Sequence, residues 1–298
     1  MYPRAFRYHR ANSVEEAASL LAELGEEAKL LAGGQSLIPL MKLRLASPPH
    51  LVDLNFVPGL SYIKEEGGAL RFGSLTRHAE LEASPTARRI PILHDCASGI
   101  ADVQVRNQGT IGGSLAEADP SGDWAPVLLT LSTQVLCVGP TGARTIPLSR
   151  FFTDAYTTVL APTEVLREVV VKLPPQNSRG AYLALKRSAP VYATASVAVQ
   201  LTLADRDICQ EAGVALGAVG LTPIKATEAE AALRGQPLTE KTIEAAAEAA
   251  MEASNPQSDT RGTAEYKRAL VGALVKRAID IAIRRCRNEA VEVSHYYA

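Results

Sequence analysis

The sequence predicts an α+β fold of two domains, in which a β/α portion comes first and an antiparallel sheet with helices follows. The chain of 298 residues exceeds the usual size of one hydrophobic core. Short apolar runs alternate with helical stretches as far as residue 176, after which strand-like runs precede Ala-rich helices. We therefore expect one domain at residues 1–176, with lobes of about 1–56 and 57–176, a second at 177–288, and a tail at 289–298.

The first lobe begins with a well-marked helix. Ser13 and Glu16 form the pattern of a capping box, apolar residues follow at helical spacing, and Gly25 occupies a C-terminal cap position. A short buried strand at residues 29–32, a helix near residues 38–45 and a strand at residues 51–54 complete a small β/α unit.

The second lobe alternates strands with longer helical stretches. A strand at residues 69–73 precedes helical segments near residues 77–82 and 87–100. We expect a long loop at residues 106–120, then a helix at about 122–131 and strands at 135–139 and 166–173.

The pattern of the C-terminal portion predicts an antiparallel sheet followed by helices. Strands are predicted at residues 181–187, 195–203 and 213–219, and helices at 226–233, 240–253 and 264–287. The last helix has an apolar stripe that predicts one buried face: Leu270, Leu274, Val275, Ala278, Ile279 and Ala282. We expect its solvated side to carry mostly Lys276, Arg277, Arg284 and Arg285.

Composition excludes several classes of function. With 31 Lys and Arg against 32 Asp and Glu, the chain lacks the basic character of a nucleic-acid-binding domain. It contains no run of about 18 apolar residues and no visible secretory signal, so we expect a cytoplasmic protein without a transmembrane segment. Its four cysteines are far apart in sequence and its histidines are scattered, which argues against a metal or iron–sulfur site in this chain.

Two glycine-containing stretches are difficult to explain as plain structure. Each places a Gly-Gly pair after an apolar run and beside hydroxyl residues, at residues 30–39 and 107–123. Glycine permits positive φ and lacks a Cβ, so backbone N–H groups can converge on an anion such as a dinucleotide diphosphate. Either pair alone could be a tight turn. Phosphate-loop and Rossmann patterns are absent, and we interpret Gly213, Gly217 and Gly220 as packing glycines.

These stretches carry a specific resemblance. Ala-Gly-Gly-Gln-Ser-Leu-Ile-Pro-Leu-Met-Lys-Leu-Arg-Leu-Ala at 32–46 and Thr-Ile-Gly-Gly-Ser-Leu-Ala at 110–116 resemble the two FAD signatures of the carbon monoxide dehydrogenase/xanthine dehydrogenase flavoprotein family. Ser-Asp-Thr-Arg-Gly-Thr-Ala-Glu-Tyr-Lys-Arg at 258–268 is similar to that family's C-terminal motif. The resemblance implies a two-lobed FAD-binding domain of the PCMH type, like vanillyl-alcohol oxidase, followed by a C-terminal domain of sheet and helices.

The resemblance also implies which residues contact FAD. The diphosphate and adjoining sugar are expected at Leu31, Ala32, Gly33, Gly34, Gln35, Ser36, Leu37, Thr110, Ile111, Gly112, Gly113 and Ser114. Ile100 matches a position that packs on the cofactor, and Leu166 and Lys186 match positions near the isoalloxazine ring. Tyr192 is expected over the flavin.

Three of these positions have plainer interpretations, and for Ile100 the alternative is an ordinary core isoleucine. Asp123 either accepts hydrogen bonds from a ribityl or ribose hydroxyl or stabilises the N-terminus of the following helix. Lys186 either supports negative charge on reduced flavin or is an exposed strand lysine. Ser114 replaces the family's usual Asn, and the segment 188–192 lacks the acidic residue often found before the aromatic one.

The resemblance implies a function in electron transfer. A large subunit would carry molybdenum–molybdopterin and a small one [2Fe–2S] clusters, in a dimer of heterotrimers that partners could hold at the inner face of the membrane. FAD in this chain would pass electrons to an external acceptor. No residue is a candidate catalytic base. The alternatives are a free-standing FAD oxidoreductase of the same fold and an assembly subunit without flavin.

Overall fold

The chain forms mixed layers of sheet and helix, as the sequence predicts. The computed structural model describes residues 2–188, 191–204, 207–293 and 296–297. Part of the segment before Tyr192 (residues 189–190) and part of the expected tail (residues 294–295 and 298) lie outside the described residues. The described strands assemble into a parallel sheet, two five-stranded sheets and a hairpin.

The N-terminal layer is a small parallel sheet with one long helix. Its elements are β1 (Arg7–Arg10), α1 (Val14–Leu24), β2 (Ala28–Leu31), α2 (Leu37–Lys42) and β3 (His50–Asp53). The strands lie in the order β1-β3-β2, all parallel. Ser13 Oγ accepts a hydrogen bond from the Glu16 N–H at 3.0 Å, whereas the Glu16 carboxylate accepts from Asn12 N rather than from Ser13 N. Gly25 ends α1 with a φ of 62°.

The second layer is an antiparallel sheet with helices packed on it. Its first half contains β4 (Ile63–Glu66), β5 (Ala69–Gly73), α3 (His78–Ala83), α4 (Pro85–Arg88), α5 (Pro91–Gly99), α6 (Val103–Gln108), α7 (Ile111–Glu117) and α8 (Trp124–Leu129). Its second half contains β6 (Thr133–Gly139), β7 (Gly142–Pro147), the hairpin β8 (Phe152–Asp154) and β9 (Thr157–Thr158), and β10 (Val165–Lys172). The sheet order is β4-β5-β10-β6-β7, and a bulge interrupts β10 between Leu166 and Glu168.

Two expectations for this layer are wrong. The stretch at residues 87–100 is not one helical segment, because Pro91 starts a new helix and separates α4 from α5. The expected loop at residues 106–120 instead contains the second half of α6 and all of α7. Asp102 and Thr110 cap these helices, since their side chains accept hydrogen bonds from Val105 N and Gly113 N.

The C-terminal layer is a sheet covered by three helices. It comprises β11 (Ser178–Lys186), β12 (Ala195–Leu203), β13 (Cys209–Gly217), β14 (Ile224–Lys225), α9 (Thr227–Leu233), α10 (Glu240–Ala253), α11 (Ala264–Cys286) and β15 (Tyr296–Tyr297). The order is β14-β13-β12-β11-β15, antiparallel except for the parallel pair β11 and β15. Every residue of β12 is buried, because α11 and α8 both pack against this strand.

Close packing explains two of the glycines that the sequence analysis assigned to packing. A Cβ at Gly213 would approach the Thr130 backbone to 2.5 Å, and one at Gly217 would approach Pro126 to 3.0 Å. Both neighbours belong to the end or body of α8, so β13 lies against this helix only because its glycines have no side chain.

A buried ion pair connects the C-terminal layer to the second layer. The Asp95 carboxylate on α5 accepts hydrogen bonds from Arg285 Nη1 and Nη2 of α11 at 2.7 and 2.9 Å. It also accepts one from the Tyr182 N–H of β11 at 3.2 Å. Arg285 in turn donates to Gly180 O at 2.6 Å. The expectation that Arg285 lies on the solvated side of the last helix is therefore wrong, since its side chain is only 7% exposed. Arg284 is exposed as expected.

Arg285→Met should destabilise the chain strongly, because the buried Asp95 carboxylate would lose the guanidinium that balances its charge. Losing one member of a buried pair costs about 3–5 kcal/mol. Urea unfolding measures this loss. Arg284→Met is the matched control, since Arg284 pairs with Glu289 in solvent and its removal should change unfolding little. Equal losses in the two variants would contradict the role assigned to Arg285.

Candidate functional site

A cavity of about 420 Å³ lies where the three layers meet. That volume is in the usual range for small-molecule sites. The N-terminal layer contributes residues around α2, the second layer contributes residues around α6, α7 and the bulge of β10, and the C-terminal layer contributes residues at the end of β11 and beyond. The cavity is lined by Ala32, Gly33, Gly34, Gln35, Ser36, Leu37, Ile100, Thr110, Gly112, Gly113, Ser114, Asp123, Leu166, Lys186 and Tyr192 among the residues expected from the sequence.

Leu31 and Ile111 are the two expected residues that do not line it. Leu31 belongs to β2, whose backbone pairs with β3, and its neighbour Leu30 lines the cavity instead. Ile111 is fully buried in the core between the β5–β10 sheet and its helices. Both residues therefore support the cavity wall from behind.

The two glycine-containing stretches are in direct contact. A Cβ on Gly33 would overlap the carbonyl group of Gln108, near the start of the second stretch. A Cβ on Gly112 would lie 2.5 Å from Ser74 Cβ, so this glycine lets α7 dock beside β5. The expectation of positive φ holds only for Gly34, at 70°, because Gly33, Gly112 and Gly113 adopt ordinary backbone angles. Close approach, rather than unusual backbone angles, is therefore the main reason for glycine here.

The first stretch offers free main-chain donors. Within the described chain, the N–H groups of residues 33–37 donate to no protein acceptor. Ser36 and Leu37 lie at the start of α2, where helical geometry leaves N–H groups without intrahelical partners, and residues 33–35 lie in the turn that leads into it. A run of such amides along a cavity wall suits an anion such as a diphosphate.

The second stretch does not offer the same donors, contrary to expectation. Ile111 N donates to Thr76 O, Gly112 N to Ser74 O, and Gly113 N to the Thr110 hydroxyl. Ser114 N donates to Thr110 O. The contribution of this stretch is its close packing and the hydroxyl of Ser114, which makes no hydrogen bond to the described protein atoms.

A polar network from the C-terminal layer forms another wall. Tyr182 donates to Asp123 Oδ1 at 2.6 Å, and Lys186 Nζ lies 3.7 Å from the same oxygen. Lys186 also donates to Gly99 O at 2.6 Å and is 2% exposed, so it is not an exposed strand lysine. Asp123 occupies the N-cap position of α8, but its side chain makes no capping hydrogen bond. Its Oδ1 contacts Tyr182 and Lys186 instead.

Sequence reasoning missed two polar residues in the cavity wall. His78 accepts a hydrogen bond at Nδ1 from Trp124 Nε1 at 3.0 Å, which leaves its proton on Nε2. Burial, followed by the charges of Arg77 and Arg106, lowers the pKa of His78 to about 4, so the ring is neutral at physiological pH. Ser74 is buried, and its hydroxyl has no partner among the described residues. The one signal was position, since Ser74 follows the predicted strand at residues 69–73 directly and His78 lies in the helical segment predicted after it.

The mouth of the cavity is acidic and carries an aromatic side chain. Glu117, Asp119 and Tyr192 line it, and Tyr192 is 48% exposed. Burial and the neighbouring Asp119 raise the pKa of Glu117. Burial, the charge of Asp119 and a hydrogen bond to it also raise the pKa of Tyr192, which keeps the phenol protonated.

The lining suits a long ligand with an anionic middle and polar ends. The amides of residues 33–37 and the hydroxyls of Ser74 and Ser114, which have no partner among the described residues, supply donors, while Leu166 and Ile100 supply apolar contacts. These features fit FAD. The described residues hold no group of three His, Cys, Asp or Glu side chains that could bind a metal, and none of their helices is both long and apolar enough to span a bilayer.

Known families match nearly the whole chain. Residues 4–174 match the FAD binding domain in molybdopterin dehydrogenase, and residues 180–282 match the CO dehydrogenase flavoprotein C-terminal domain. The chain is 41% identical to the carbon monoxide dehydrogenase medium chain of Hydrogenophaga pseudoflava, over 96% of this chain and 100% of that one.

Two further likenesses extend this result. The chain is 38% identical to the 6-hydroxypseudooxynicotine dehydrogenase complex subunit alpha of Paenarthrobacter nicotinovorans, over 99% of this chain and 100% of that one. It superimposes with a TM-score of 0.94 and 42% identity on a solved chain of the Hydrogenophaga pseudoflava carbon monoxide dehydrogenase that lacks the Mo-pyranopterin moiety of its cofactor. That match covers 96% of this chain and 100% of the solved one.

Gly33→Ala should weaken FAD binding, because the added methyl overlaps the Gln108 carbonyl and forces the two stretches apart. We expect at least about a tenfold rise in Kd, or 1.4 kcal/mol. Flavin fluorescence titration of the purified chain measures it. Gly139→Ala is the control, since a Cβ there meets the flexible Glu164 side chain at 3.1 Å and its contact with backbone, Thr163 O at 3.9 Å, is an ordinary one. Unchanged affinity in Gly33→Ala would show that the contact between the stretches does not shape the site.

Proposed function

The chain belongs to the FAD-binding medium-subunit family of the molybdenum hydroxylases, and we propose that it relays electrons from a partner's [2Fe–2S] clusters to an external acceptor. The bound FAD supplies the redox chemistry. The residues of this chain hold the cofactor, shape its surroundings and limit its contact with water.

The row of free N–H groups at residues 33–37 carries the proposal. We place the diphosphate there, because five consecutive amides without acceptors among the described residues can balance its charge without a lysine or arginine. Ser36 and Ser114 are within the same lining and add hydroxyl donors. The adjoining sugar lies along Thr110, Gly112 and Gly113 in this proposal.

The isoalloxazine ring is proposed to lie toward Leu166, Lys186 and Tyr192. Leu166 and Ile100 offer apolar surface, and Tyr192 stands at the mouth. The Lys186 ammonium is buried and lies 3.7 Å from Asp123, so it is held in place to stabilise negative charge that develops nearby. Asp123 has a second oxygen that can accept a hydroxyl of the ribityl chain.

The remaining parts of the complex are proposed from the relatives. Carbon monoxide dehydrogenase and 6-hydroxypseudooxynicotine dehydrogenase subunits both resemble this chain along their full length. We propose a large molybdenum–molybdopterin subunit and a small [2Fe–2S] subunit as partners, arranged as a dimer of heterotrimers. Within this chain, residues 1–176 form the FAD-binding domain and residues 177–288 the C-terminal domain.

Reconstitution tests the proposed function. The purified chain should bind FAD in a 1:1 ratio and oxidise no carbon substrate, and its flavin should be reduced only when the iron–sulfur partner is added in reduced form. Stopped-flow absorbance of the flavin band measures this reduction. Substrate oxidation by the chain alone would favour a free-standing oxidoreductase, and absence of flavin binding would favour an assembly subunit.

Lys186→Met should retain FAD but lower its reduction potential, because a buried positive charge near the ring is lost. We expect a shift of about 30 mV or more, which is 1.4 kcal/mol for a two-electron couple. Redox titration against reference dyes measures it. Lys172→Met, which removes an exposed lysine at the end of β10, is the control. An equal potential in the Lys186 variant and the unsubstituted chain would remove the proposed role.

A further inference from the structure

The turn before α11 reaches across to the cavity mouth. Arg261 Nη1 donates to Ala193 O at 3.0 Å and to Ser121 Oγ at 3.1 Å. Ala193 follows Tyr192 directly, and Ser121 lies between the mouth residue Asp119 and the wall residue Asp123. One guanidinium therefore joins the backbone beside Tyr192 to the segment that follows Asp119.

A second contact links the same turn to the chain segment that connects β11 to β12, at the β11 end of that segment. Arg187 Nη1 donates to Thr260 O at 2.8 Å, immediately after the end of β11. Thr194 N donates to Leu185 O at 2.8 Å, so the connection is also closed at its base. The residues on both sides of the β11–β12 connection are thus bonded to residues 260 and 261.

The turn itself is firmly held. Asp259 accepts the Arg261 N–H at 2.8 Å and pairs with Lys267 Nζ at 2.8 Å. Lys267 is 4% exposed and also donates to Gln257 O at 2.9 Å. Because Lys267 belongs to the first turns of α11, the position of Arg261 is fixed by the long C-terminal helix.

We propose that Arg261 is a positioning residue that holds Tyr192 at the cavity mouth and so limits access of small solutes to the flavin. The proposal rests on the proposed function, since it places flavin behind Tyr192. It gives a role to the motif at residues 258–268, which otherwise lies outside the cavity lining. Two hydrogen bonds from one side chain fix the Ala193 carbonyl relative to Ser121, so their loss should free the half-exposed tyrosine to move.

Hydrogen exchange tests the positioning without any cofactor. In the full chain prepared without FAD, Arg261→Ala should speed amide exchange at residues 191–194 by about fivefold or more, the factor for losing one hydrogen bond. Arg268→Ala, which removes an exposed arginine from the same motif, should leave this exchange unchanged. Arg261→Lys keeps the charge but has a single donor group, so it should give a smaller increase, and it serves as the main variant if Arg261→Ala does not fold. Unchanged exchange in the folded Arg261 variants would overturn the proposal.

Iodide quenching of flavin fluorescence tests access in the FAD-loaded chain. Arg261→Ala and Tyr192→Ala should each raise the quenching constant severalfold, and the double variant should exceed neither single variant, because both act through one side chain. Additive increases would overturn the proposal. If the unsubstituted chain binds no FAD, the proposed function fails, whereas the exchange measurement still decides the role of Arg261.

Discussion

The bonding of β11 to α5 is the constraint on which the cavity depends. Asp95 accepts hydrogen bonds from Arg285 and from the Tyr182 backbone, and the carbonyl of Gly99 at the end of α5 accepts one from Lys186. Charged groups in a dry interface are costly unless fully paired, and here each carboxylate oxygen has a partner. These hydrogen bonds fix the position of β11 relative to α5. This position of β11 places Tyr182 and Lys186 against Asp123.

This arrangement explains how separate parts of the chain build one binding site. The N-terminal layer supplies amides that have no acceptor among the described residues, and it packs against the surface of the second layer. The C-terminal layer supplies the buried cation of Lys186 and the aromatic side chain of Tyr192 at the mouth. The relatives belong to enzymes named for different substrates, carbon monoxide and 6-hydroxypseudooxynicotine. Similar cofactor-binding chains therefore occur in enzymes named for different substrates. This similarity agrees with the proposal that substrate selectivity belongs to another subunit.

Local sequence signals predicted much of the fold and the position of the cavity. Ser13 and Gly25 marked the ends of α1, and the paired glycines marked the two stretches that meet in space. The helix α7 was missed because its Gly-Gly pair suggested a loop, while the capping by Thr110 and the docking on Ser74 are tertiary effects. Arg285 was misplaced for a similar reason. Its acidic partner, Asp95, lies 190 residues earlier in the chain, and no local sequence pattern indicates such a pair.

The structure of the chain with FAD bound is the most direct measurement of this account. The account predicts diphosphate oxygens at about 3 Å from N–H groups within residues 33–37, a normal hydrogen-bond distance. It also predicts the flavin ring beside Leu166 and Lys186, behind Tyr192. A diphosphate held elsewhere, or a flavin outside the cavity that β11 completes, would contradict it.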